Sequence, residues 1–125
     1  MKVAYEPAKY YTWSEICELM DQWCVAFPEL VKQYPIGKTY EGREIICLEM
    51  SSPKGDSKEK PGYYIDANFH AGEVNGSAVA LYTTSWLLGN YGKDEDATQI
   101  LDTRTVYMVP RVTIDGSELY LNTPY

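Results

Sequence analysis

The stretch from Tyr63 to Trp86 constrains this chain more than any other. Tyr63, Ile65, Ala67 and Phe69 alternate with polar neighbours, the period-two pattern of a strand with one buried face. Ala78, Leu81, Tyr82, Ser85 and Trp86 then recur at helical spacing, and Gly89-Asn90-Tyr91-Gly92 closes the segment. Only a short break, beginning at His70-Ala71-Gly72-Glu73, separates the two periodicities. A strand that hands over to a helix so abruptly must cover its sheet with that helix, which predicts an α/β architecture.

The flanking segments extend this pattern. Thr12-Trp13-Ser14-Glu15 is a capping box, and Ile16, Leu19, Met20, Trp23 and Phe27 continue as one helical stripe that Pro28 ends. Lys32 to Tyr40 reads as extended chain, Glu41-Gly42 as a turn and Arg43 to Met50 as an apolar strand, together a hairpin. Residues 51–60 form a polar loop, Asp94 to Asp102 a short helix, and Thr105 to Val109 a further strand. The order predicts a mixed β-sheet flanked by helices. No terminating element is expected after Val109, and the last residues, Leu119 to Tyr125, are still apolar. Residues 1–125 are therefore expected to be the N-terminal part of a single larger domain, truncated at its C-terminus.

Composition narrows the function. The chain has 125 residues, 45% hydrophobic and 23% charged, which excludes a disordered chain or a coiled coil. Its formal net charge of −7 repels phosphate backbones and anionic lipid, so neither nucleic acid nor a membrane surface is an expected partner. Apolar runs such as Ile45 to Leu48 are far too short to cross a bilayer. The opening residues, Met1 to Glu6, show no apolar leader, which fits a cytoplasmic protein or a secreted one without its leader. Cys17 and Cys24 lie on one helical face roughly 10 Å apart, too far for a disulfide, and Cys47 falls in an apolar strand. All three are expected to be free thiols that pack as small hydrophobes.

The chemistry concentrates at His70 and Glu73. His70 is the sole histidine, and it leaves a buried strand at its carboxyl end, where open α/β sheets bind ligands. Imidazole nitrogen and carboxylate oxygen are both zinc donors. Glu73 falls near a helix start, where the dipole favours the ionised carboxylate that a metal requires. Ala71 and Gly72 leave the backbone room to bend. Asp66 and Asn68 share the strand face of His70 and are expected either to orient the imidazole or to anchor the loop.

Three segments resemble the zinc carboxypeptidase family, the carboxypeptidase A/B-like metallocarboxypeptidases. Ile36-Gly37-Lys38-Thr39-Tyr40-Glu41-Gly42-Arg43 is similar to that family's glycine-containing hairpin. Asn68-Phe69-His70-Ala71-Gly72-Glu73 resembles its His-x-x-Glu zinc motif. Val109 to Gly116 resembles its Pro-x-x-Asn-Pro-Asp-Gly segment, with Thr113-Ile114 in place of Asn-Pro. The resemblance implies a Zn2+ cofactor held by His70 and Glu73, peptide or protein C-termini as substrate, and hydrolysis by a zinc-activated water. It also implies that the third zinc ligand, the catalytic glutamate and the carboxylate-binding arginine lie beyond Tyr125, so no catalytic residue is expected within the chain. Gly72 stands where some family members carry a substrate-contacting arginine. Two alternatives remain open at this level. One is a related zinc amidohydrolase acting on cell-wall peptides or N-acyl amino acids, and the other is a non-catalytic module on the same fold. A sheet edge left unpaired, with apolar surface at Tyr107, Leu119 and Leu121, is expected to favour self-association.

Overall fold

A computed structural model describes residues 5–124; the first four residues of the opening stretch read above for a leader, and the final Tyr125, lie outside them. Helix α1 spans Trp13–Ala26, followed by strands β1 (Val31–Lys38), β2 (Glu44–Met50) and β3 (Gly62–Asp66). Helices α2 (Asn75–Asn90) and α3 (Glu95–Thr103) lead to β4 (Thr105–Val109) and α4 (Ile114–Asn122). The sheet order is β1-β2-β4-β3, antiparallel except for the parallel pair β3–β4. It is the mixed sheet with flanking helices that the periodicities predict.

The capping box forms as read: the Thr12 side chain accepts from the Glu15 N–H, and Glu15 Oε1 accepts from the Thr12 N–H at 3.1 Å. The stripe on α1 then buries Ile16, Leu19, Met20 and Trp23. These join Val31, Leu48, Met50, Val106 and Met108 from the sheet and Leu81, Leu88 and Leu101 from α2 and α3 in one core. Each such aliphatic side chain, fully buried, contributes about 1.5–3 kcal/mol. Residues of opposite parity face the other side of the sheet, where Glu49 accepts from Tyr34 at 3.1 Å and pairs with Lys32 at 2.9 Å.

The hairpin turns at Gly42, whose φ of 87° lies in the left-handed region. At its tip Arg43 Nη1 meets Glu41 Oε2 at 2.5 Å, an ion pair across the turn. The three cysteines are free, with Cys47 buried and Cys17 and Cys24 half-buried. Burial pushes all three thiols above their ordinary pKa.

Two expectations are corrected. The chain after Val109 carries a nine-residue helix, α4, where no terminating element was expected. Asp115-Gly116 reads locally as a turn, and so short a helix is unstable in isolation. Tertiary contacts override that propensity: Ile114 and Ser117 are buried, and Glu118 Oε1 accepts the Trp13 N–H at 2.6 Å. The open edge is likewise not at Tyr107, which sits on β4 between β2 and β3. The two edge strands are β1 and β3; Tyr63 and Tyr64 are exposed on β3, and Leu119 is exposed on α4.

Candidate metal centre

Strand β3 ends earlier than its alternation suggests. Ala67 still donates to the Val109 carbonyl at 3.0 Å, but Asn68 takes φ 58° and breaks the ladder. Asparagine tolerates this left-handed conformation better than most residues. The chain then turns over residues 70–73, closed by the Glu73 N–H on the His70 carbonyl at 3.1 Å. A second turn, from the Gly76 N–H to the Glu73 carbonyl at 3.0 Å, delivers it into α2. Glu73 thus stands two residues before the first helical turn, as the sequence suggests.

This geometry brings the two candidate donors together. His70 Nδ1 lies 3.0 Å from Glu73 Oε2, and the side chains are 72% and 66% exposed. The Phe69 ring meets the imidazole edge-on, with centroids 5.4 Å apart. Two donors at ~2.0–2.1 Å from a tetrahedral zinc ion stand about 3.3 Å apart, so a few tenths of an ångström of opening accommodates the ion. Imidazole nitrogen and carboxylate oxygen therefore fit zinc as a pair. Among the described residues no group of three or more His, Cys, Asp or Glu side chains forms.

Asp66 and Asn68 do not orient the imidazole directly. Asn68 is buried and its amide nitrogen donates to the backbone carbonyls of His70, at 2.8 Å, and Ala71, at 3.4 Å. It is the loop anchor, the second of the two roles read from the sequence. Asp66 is exposed and interacts with the Tyr64 hydroxyl, which it helps to hold above the ordinary tyrosine pKa after burial.

The other two motifs meet each other beside the loop. Arg43 Nη1, at the hairpin, lies 2.7 Å from Asp115 Oδ1 on α4, and Asp115 Oδ2 accepts the Glu41 N–H at 3.0 Å. Partial burial raises the Asp115 pKa, but the Glu41 N–H, Arg43 and Thr39 outweigh it and hold the carboxyl below its ordinary value. Thr113 ties α4's approach to the site by donating to the Phe69 carbonyl. Sequence reading missed this junction, although opposite charges in two separate turns were its signal. It also missed Ser77, Arg111 and Ser117, which gather behind the loop and carry no periodic signature.

A mixed sheet flanked by helices thus presents the exposed His70–Glu73 pair at a strand exit. Residues 16–124 match a family model described as zinc carboxypeptidase, and the chain belongs to the zinc carboxypeptidase family. It is 34% identical to mouse carboxypeptidase A2 over 107 residues, 86% of this chain and 25% of that protein. Against human carboxypeptidase A1 the identity is 35% over 109 residues, covering 87% and 25%. The crystal structure of thrombin activatable fibrinolysis inhibitor superposes with TM-score 0.84 at 26% identity, over 90% of this chain and 27% of that one. A carboxypeptidase A from Helicoverpa armigera shares the fold with TM-score 0.83 at 20% identity, over 94% and 28%. The chain spans about a quarter of the length of the curated relatives it matches.

Proposed function

We propose that His70 and Glu73 are two protein ligands of a catalytic zinc ion, and that the chain forms the N-terminal part of a metallocarboxypeptidase domain that removes C-terminal residues from peptides. The observation that carries this is the 3.0 Å approach of His70 Nδ1 to Glu73 Oε2 at the carboxyl end of β3. Family membership supports the choice of metal and the class of reaction. Zinc bound there would act as a Lewis acid on the scissile carbonyl and lower the pKa of water. The role of this chain is to hold and orient: β3 and the turn at residues 70–73 fix the imidazole, and the turn into α2 fixes the carboxylate. Both side chains are open to solvent, so a third ligand and a peptide can approach from outside.

Two ligands hold zinc less tightly than the three usual in catalytic sites. The chain alone is therefore expected to bind zinc weakly and to hydrolyse no peptide, since a general base is worth ~10²–10⁴-fold and no further His, Cys, Asp or Glu groups with the pair among the described residues. Calorimetric zinc titration of the chain and its His70→Ala variant tests the ligand assignment, alongside a carboxypeptidase assay. Binding that is weak but lost in His70→Ala, with no turnover, is the expected result. Binding indifferent to His70→Ala, or robust turnover by the 125 residues alone, overturns the reading.

A further inference from the structure

Behind the His70–Glu73 turn lies a buried polar cluster that neither ligand side chain touches. Asn68 Oδ1 sits within hydrogen-bond distance of three groups: Arg111 Nε at 2.8 Å, Ser117 Oγ at 3.0 Å and Ser77 Oγ at 3.1 Å. The two hydroxyls have one proton each, and each has a shorter alternative. Ser77 donates to the Pro110 carbonyl at 2.7 Å, and Ser117 to the Thr113 carbonyl at 2.7 Å. Arg111 Nε–H also reaches Ser77 Oγ at 3.2 Å, but its shorter contact is to this oxygen, the reverse of the two hydroxyls.

That shorter contact fixes which way the Asn68 amide faces. Its oxygen must point at Arg111, so its nitrogen points at the His70 and Ala71 carbonyls. A flipped amide would set N–H against N–H on one side and oxygen against two carbonyls on the other. Arg111 is fully buried, and among the described residues its Nη1 and Nη2 have no hydrogen-bond partner. Its nearest charge, Glu118 Oε1, is 3.7 Å from Nη1. A buried guanidinium so poorly satisfied is a weak stabiliser of the fold, and an apolar residue of similar size would serve stability as well.

We infer that Arg111 and Asn68 are positioning residues for the metal ligands: Arg111 orients the Asn68 amide, which clamps the backbone of His70 and Ala71 and so sets the spacing of His70 and Glu73. This rests on the zinc reading above for its consequence, but not for its geometry. Groups that orient ligands from behind typically change metal affinity 10–100-fold when removed.

The test uses Arg111→Met and Asn68→Gly, the second chosen because glycine keeps the left-handed backbone available. Amide hydrogen exchange at Glu73, zinc affinity and melting temperature are measured for each, with Leu101→Ala as a purely destabilising control. Local opening of a surface turn is independent of global stability, so the control should lower the melting temperature and leave Glu73 exchange and zinc affinity unchanged. Arg111→Met and Asn68→Gly are each expected to speed Glu73 exchange and weaken zinc binding about tenfold. Arg111→Met should do so with its melting temperature within about 5 °C of the parent. Unchanged exchange in both variants overturns the inference, as does an Arg111→Met effect that merely follows a collapse in melting temperature. If the parent chain binds no zinc through His70, the zinc reading fails while exchange still decides the positioning role. If zinc binds through His70 and neither variant alters exchange or affinity, the positioning role fails and the zinc reading stands.

Discussion

Gly116→Ala probes whether α4 presses on the His70–Glu73 loop. A Cβ placed at Gly116 would stand 2.7 Å from the Ala71 Cβ and 3.3 Å from Thr113 Cγ2. Carbon atoms pack at about 3.5–4.0 Å, so α4 and the loop must separate by about 1 Å. Such overpacking costs typically 1–3 kcal/mol, offset by the roughly 1 kcal/mol that alanine gains over glycine in a helix. The net expectation is a loss of about 0–2 kcal/mol. Function should suffer more than stability, because Ala71 lies between the two proposed ligands and binding geometries tolerate only about 0.5 Å. Zinc affinity measured by calorimetry should fall at least about tenfold, while urea unfolding shows the small stability loss. Adding Ala71→Gly removes the opposing methyl and should recover most of the affinity. A Gly116→Ala chain that gains about 1 kcal/mol and binds zinc as before would refute the contact between α4 and the loop.

Other consequences follow from the same structure. Glu118→Ala strips both the Trp13 N–H and Arg111 of their acidic partner and should cost about 3 kcal/mol in urea unfolding. Glu118→Gln, which keeps an acceptor for Trp13, should lose less; equal losses would show that the charge near Arg111 is unimportant. Asp115, with its folded pKa lowered, contributes stability above its unfolded pKa that is lost as pH falls through the folded value. The stability gap between the parent and Arg43→Gln should therefore be widest near neutrality and close below about pH 4, and a gap unchanged in acid would contradict this. Iodoacetamide at pH 7 should label Cys47 only after unfolding, because burial both shields the thiol and raises its pKa. The exposed β3 edge should give concentration-dependent association in sedimentation, suppressed by Tyr64→Lys; strictly monomeric behaviour at high concentration would argue against it.

Much of this architecture is legible in the sequence because local signals and tertiary packing agree. The Thr12–Glu15 capping box and the Ile16-to-Trp23 stripe define α1 without reference to anything else. The same holds for α3, whose cap Asp94 accepts from the Asp96 and Ala97 N–H groups. The approach of His70 to Glu73 follows from spacing alone once a strand exit and a helix entry are assigned around them. Helix α4 is illegible for the opposite reason. Its Asp115-Gly116 start has turn chemistry, and only contacts with Trp13, Arg43 and Asn68, all distant in the chain, make it helical. The exit of β3 shifted because one left-handed asparagine interrupts an alternation that the residue types continue to Phe69. Arg111 escaped notice because a buried arginine is rare, and nothing in a linear pattern marks it.

The central claim is that His70 and Glu73 hold zinc, and zinc-edge X-ray absorption of the zinc-loaded chain tests it most directly. The chain has one histidine and three cysteines, so the coordination shell can be read unambiguously. The account predicts a single imidazole with oxygen donors at ~2.0–2.2 Å, and loss of the imidazole signal in His70→Ala. Sulfur scattering at ~2.3 Å, or a shell indifferent to His70→Ala, would place the metal elsewhere and contradict the account.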